Sequence, residues 1–498
     1  MDNKVKNKKV LKLLGLVGIF LLVFGISYAL FTVTLNGTKK VKIKTGKLEL
    51  QLLDKNDNPI YQIGGGIVES NYEINLDNQV PISDEEGLQS QTFEFKLKNS
   101  GNIPTKYTIY LDDVELDDGE SRIEDQYIRY SLTKNGSSDY AEDLTNIGAN
   151  PNRILDKGLI NKDITNTYTL KVWIKESAGS DAMNKVFNTT LRVEGSQYVS
   201  PFENASFADQ LYAKDNVGTL TAPILDGFNR YVSESSGLYK YTDTDNTTTY
   251  VYRGNPQDNY VTFAGDTWRI LRIQSDGSVK LIREDAVNYV NTTYDSGSST
   301  ASGIAYRIVK YNKTDSSDDD NKYSTSNIKN YVEAWYVDIL ETGYDDKIKA
   351  NTYCSDRSSP EEISEFAQSQ YHSWESLYGI YTRLDKNQDN HYIWMPSVSC
   401  ADGEEIISKA ALITADEYIL AGGGTFSGNI YLKTPYWFWT MSPAGFYQYA
   451  QALSVADSGY FNYRMVDTNH GVRPVITLIP NISINGGEGT LQRPYIIE

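Results

Sequence analysis

The fold class that the sequence predicts is an N-terminal signal or transmembrane helix, then an all-β sandwich, then an α+β domain. Three observations predict it. Leu13–Val33 is an uncharged run of 21 residues. Segments of apolar/polar alternation recur from Val41 to Val193. Beyond residue 259, such segments are interrupted by two helical patterns with capping residues. A chain of 498 residues is long enough for two or three domains. With 40% hydrophobic and 22% charged residues it has the composition of a globular protein.

The N-terminus comes first. Residues 1–12 carry five Lys and one Asp, a net of +4, which leaves −22 on the other 486 residues. At 1.5 Å per residue the run 13–33 reaches across a bilayer core of about 30 Å. The basic head before it predicts that residues 1–12 stay in the cytoplasm and the body lies outside. Ser27-Tyr28-Ala29 is a small-x-small site of the kind a signal peptidase cuts. The run therefore reads either as a single-pass anchor in the cell membrane or as a signal cleaved near Ala29, releasing the body. A body this acidic repels phosphate backbones, so nucleic acid is excluded as a partner.

Residues 34–197 read as the β-sandwich. Leu48-Glu-Leu-Gln-Leu, Phe93-Glu-Phe-Lys-Leu, Tyr107-Thr-Ile-Tyr-Leu, Tyr127–Leu132, Tyr168–Ile174 and Phe187–Val193 alternate with period two. Val41-Lys-Ile-Lys does the same. Each such segment has one buried and one wet face. Asn99-Ser-Gly and Asp117-Asp-Gly supply turns between them. GISYALFTVTLNG followed by KTGKLELQL, and the strand–turn–strand FEFKLKNSGNIPTKYTIYL, resemble camelysin-type biofilm matrix proteins of Gram-positive bacteria. In that family an aromatic follows the cleavage Ala, whereas Leu30-Phe31 follows it here.

Residues 198–258 are rich in Ser, Thr, Asn, Asp and Gly and read as a connector, with a short helix at Phe207–Lys214 and a ribbon at Leu238–Arg253. Residues 259–498 form the mixed domain. Thr267–Ile273 and Val279–Arg283 make a hairpin around Asp276-Gly277. Asn327–Leu340 reads as a helix with Ile328, Tyr331, Val332, Trp335, Ile339 and Leu340 on one stripe, Ser326 as cap and Gly343 as stop. Thr414-Ala-Asp-Glu417 is a capping box for a second helix ending at Gly422. Strands follow at Tyr436–Trp439, Ala450–Ala456 and Val472–Leu478. The order GDTWRILRI, IKNYVEAWY, ITADEYILAGG, YWFWTMSP, GVRPVITL resembles surface domains of the C-type-lectin-like fold. That fold is shared with formylglycine-generating (sulfatase-modifying) enzymes and with the variable receptors of diversity-generating retroelements.

Few groups could carry chemistry. The chain has three His, at 372, 391 and 470, and no P-loop, dinucleotide, HExxH or GxSxG motif. No catalytic residue and no resident metal site is assigned, and the chain reads as a non-enzyme. Cys354 and Cys400 are the only thiols, and an exported chain predicts that they pair. In formylglycine-generating enzymes the reactive Cys lie closer to the C-terminal core, so that role does not carry over. Asp-rich turns at 54–58, 243–245, 318–320 and 385–389 have the oxygen ligands Ca²⁺ takes, but none completes a Ca²⁺ loop and no other cofactor is implied.

Aromatic crowding marks the candidate site. Trp437 and Trp439, at i and i+2, are expected in the core. The following run mixes rings with short polar groups and lacks a regular pattern, which predicts a displayed face between Gly445 and Arg473 carried by loops. Its expected ligand-binding residues are Phe446, Tyr447, Tyr449, Asp457, Tyr460, Tyr463, Asp467, Asn469 and His470. The sequence thus predicts a bacterial surface or secreted binding protein, with an extracellular protein or glycan as ligand. A matrix or fibre subunit and a formylglycine-generating-type enzyme are the alternatives.

Overall fold

The computed structural model describes residues 48–498 except 63–66, 77–78, 138, 203–205, 215–216, 221–223, 227–235, 244, 360–364, 387–391, 401–402, 425–429 and 498. The basic head, the apolar run 13–33 and the expected strand at Val41 lie outside these residues. Among the described residues no helix is long and apolar enough to cross a membrane. Residues 47–498 form one compact unit.

The alternating segments pair as two antiparallel sheets. One has the order Pro59–Gln62, Leu50–Asp54, Thr92–Asn99, Thr165–Ile174, Ile128–Lys134, Glu142–Asp143. The other runs Ile67–Asn75, Asn188–Gln197, Thr105–Asp113, Ile154–Ile160. Inward residues such as Phe95, Leu97, Ile109, Leu111, Leu170 and Val193 close the core between them. Phe95 stacks on its cross-strand neighbour Tyr168 at 4.8 Å. At the Asn99 turn, the buried amide accepts from Gly101 N and donates to Ile103 O and Ile160 O, which ties the turn to the second sheet. The strand Ile154–Ile160 was not expected. Its apolar residues Ile154, Leu155, Leu159 and Ile160 do not alternate, and a bulge opposite Ile109 and Tyr110 shifts the register.

The supposed connector belongs to the second lobe. Gly237–Thr242 and Thr248–Arg253 are strands of its central sheet, ordered Gly218–Leu220, Gly237–Thr242, Thr248–Arg253, Asp266–Ile273, Val279–Arg283, Val475–Leu478, Ala410–Ala411. Tyr260–Phe263 pairs with Asp266–Ile273, and Tyr495–Ile497 adds to it in parallel. The expected hairpin forms, with Gly277 at φ 81° in its turn.

Ser326 caps the helix Asn327–Tyr336 by accepting from Lys329 N at 3.1 Å, and Trp335 packs on Trp268. That helix is shorter than expected. A π turn over Val337–Glu341 adds residues to the turn, so Leu340 stays buried while Ile339 swings outward to 44% exposure. The Thr414/Glu417 capping box forms as expected, over Ala415–Leu420.

Cys354 and Cys400 form a disulfide with Cα atoms 5.4 Å apart. Closing a loop with a sequence separation of 46 restrains the unfolded chain by about 4 kcal/mol. Gly403 lies against it, and a Cβ there would come within 2.5 Å of the Cys354 sulfur. The two lobes meet through Arg493, which donates to the Leu132 carbonyl and to the Tyr140 hydroxyl and pairs with Glu488 at 2.9 Å.

Candidate recognition face

The run after Trp437 is not a set of loops. It is an antiparallel sheet ordered Ser376–Leu377, Phe438–Tyr447, Tyr449–Val455, Phe461–Met465. Gln448, at φ 61°, makes the hairpin turn that sets Tyr447 opposite Tyr449. Gln451–Val455 is buried on both faces, so it shows no alternation in the sequence.

Four of the nine candidates lie on these strands, and alternation sets Tyr447, Tyr449 and Tyr463 on one face and Phe446 on the other. On one face Tyr447 and Tyr449 lie side by side at the hairpin tip, 39% and 44% exposed. Tyr463 and Met465 share that side, opposite Leu453 and Gln451. Trp374 joins them, its ring 6.3 Å from Tyr447 at an interplanar angle of 17° and edge-on to Tyr463 at 5.0 Å. Tyr371 supports Trp374 from behind at 5.5 Å. Gly445 lets Trp374 approach, because at φ 157° a Cβ there would meet Ser376 O at 2.3 Å and the Trp374 ring at 2.7 Å. The result is a strip of half-open rings, Trp374, Tyr447, Tyr449 and Tyr463, on a rigid sheet.

The other candidates lie elsewhere. His470 is a correction to the expected surface: it is 8% exposed, stacked on Trp437 at 5.4 Å and edge-on to Trp439 at 4.6 Å. Burial, with Arg464 nearby, pushes its imidazolium down to about 3, so it is a neutral packing ring. Tyr460 sits half-buried against Trp437. Phe446 packs on the core, Asp467 faces Lys310 at 4.0 Å, Asp457 is exposed in a turn, and Asn469 is exposed on a short strand paired with Lys310.

Trp437 also departs from expectation. It precedes the strand Phe438–Tyr447 and is half-buried under the Arg464 guanidinium at 4.3 Å, whereas Trp439 is fully buried. Arg473 is buried scaffold, donating to Arg283 O and Leu432 O.

Sequence reasoning missed Trp374 and Tyr371, which lie some 70 residues upstream of the window. The aromatic run Tyr371-His-Ser-Trp374 was their only signal. The strip offers ring faces and few ionisable groups, so it is suited to stacking on sugar rings or packing against a peptide. Among the described residues no group of three or more His, Cys, Asp or Glu could hold a metal ion. The Asp54–Asn58 turn spends its carboxylate on its own backbone, Asp54 accepting from Asn56 N and Asn58 N. No protein-family model, curated protein or solved structure matches the chain.

Proposed function

We propose that the chain is a bacterial cell-surface or secreted binding protein that recognises an extracellular glycan or protein without turning it over. The sandwich is the spacer, and the second lobe is the recognition module, of C-type-lectin-like type. The basic head and apolar run of residues 1–33 support export, with the body held at the membrane or released after cleavage near Ala29. One observation carries the reading. Trp374, Tyr447, Tyr449 and Tyr463 form a contiguous, partly open aromatic strip on a sheet, held by a ring-supporting residue and a required glycine. Rings kept half-exposed at fixed orientation lose little entropy when a ligand covers them.

A mixed array of glycans and extracellular proteins probed with the full chain tests this. Hits that persist at high salt are the expected outcome, because ring stacking is only weakly screened. A blank array, or hits that vanish with salt, would count against the strip as the reading surface.

A further inference from the structure

A second concavity lies in the same lobe, between the central sheet and the disulfide. It encloses about 230 Å³ and is lined by polar side chains, Val398 and the disulfide excepted. That is below the ~300–1,000 Å³ of drug-sized sites, so only a small ligand fits.

Its floor is charged and buried. Lys280, 1% exposed, donates to Glu417 Oε1 at 2.5 Å, and Arg272 Nε donates to the same oxygen at 2.9 Å. Glu417 Oε2 is taken by Thr414 N in the capping box. Two cations therefore share one carboxylate, and Nη2 of Arg272 meets no acceptor among the described residues. Burial drops Lys280 to about 8 against the pull of Glu417. Burial alone would raise Glu417, but its two cations hold it down at about 2.

A second charged group, which reaches the cavity through Asp356 and Asp416, has the reverse imbalance. Arg383 bridges Asp356 Oδ2 at 2.6 Å and Asp416 Oδ1 at 2.7 Å, so two carboxylates share one guanidinium. Asp416 is buried, also accepts from Ser397 N at Oδ1, and its Oδ2 accepts nothing among the described residues. The turn that walls this end is fixed by Asp243, which accepts from Val398 N and Ser399 N. Thr249, Asn351 and Thr352 also line the cavity.

We infer that this cavity binds a small zwitterion of the α-amino-acid class, its carboxylate toward Arg272 and Lys280 and its ammonium toward Asp416 and Asp356. Cations outnumber the carboxylate around Glu417, carboxylates outnumber the guanidinium around Arg383, and the other lining side chains include hydroxyl and amide groups. The site is separate from the aromatic strip and stands without it.

Calorimetric titration of the full chain in detergent with glycine, L-alanine and L-serine tests the inference. Saturable binding of at least one is expected. Removing either charge of a bound probe, as in N-acetyl-L-alanine or L-alaninamide for alanine, should weaken binding at least tenfold. Thr352 is exposed at the mouth, so Thr352→Tyr should block entry by at least tenfold without touching the charges or the melting temperature. Asp356→Asn should weaken binding similarly, and Tyr447→Ala should leave it unchanged. The inference is overturned if none of the three probes saturates. It is equally overturned if single-charge analogues bind as well as their parents, or if Thr352→Tyr binds normally.

Discussion

Two aromatic clusters on the same sheet have opposite characters. Around Trp439 the rings of Trp437, His470 and Tyr311 interlock, with Trp439 Nε1 donating to the Val309 carbonyl inside the core. Around Trp374 the rings of Tyr447 and Tyr463 are half open, and Tyr449 stands beside them at the hairpin tip. Both are built from Trp and Tyr rings, with His470 added in the first. The difference comes from which side of a strand each ring is on and from whether a second layer covers that side.

The largest effect should come from the closed cluster. Trp439→Ala removes a fully buried indole and is expected to cost about 3–5 kcal/mol of stability in chemical denaturation. A loss below about 1 kcal/mol would mean the cluster is not closed.

His470 makes the closed cluster sensitive to acid. Its folded pKa of about 3 lies below the ordinary 6.5. The stability contributed by the neutral ring is therefore complete above pH 6.5 and is lost as pH falls toward 3. The loss approaches about 1.4 kcal/mol per pH unit. His470→Phe keeps the ring stack and should flatten that part of the stability–pH curve. An unchanged slope would place the acid sensitivity in other groups.

Trp437 marks the border between the two characters. Half-buried under Arg464, it should cost about 1 kcal/mol when changed to Ala, well short of Trp439. Equal losses at both tryptophans would erase the distinction drawn between rim and core.

How much of this was legible depended on periodicity. Strands with one wet face, such as Thr92–Asn99 and Thr105–Asp113, are visible because Phe95, Leu97, Tyr107 and Ile109 alternate with polar residues. Both helix caps were visible because Ser326 and Thr414 have local hydrogen-bond chemistry. The strand at Ala450–Ala456 was visible as an apolar run, but its pairing with Phe438–Tyr447 and Phe461–Met465 was not, because burial on both faces removes the alternation that would show a wet side. Trp374 was not, because its partnership with Tyr447 exists only once Ser376–Leu377 pairs with the strand at Gly445 and Phe446. The two-ended charge arrangement of the cavity joins Arg272, Lys280, Asp356, Arg383, Asp416 and Glu417, and no spacing in the chain foretells it.

The smallest expected effect on stability belongs to the open cluster, and it tests the central claim most directly. Tyr447→Ala/Tyr449→Ala should leave the melting temperature of the full chain nearly unchanged, because both rings stand partly exposed at the hairpin tip rather than in the core. On the same array as the unmodified chain, the variant should lose its hits, with binding weakened by about 2 kcal/mol where either ring is an anchor. Identical hits at equal intensity, from a variant that melts normally, would contradict the assignment of this strip as the recognition surface.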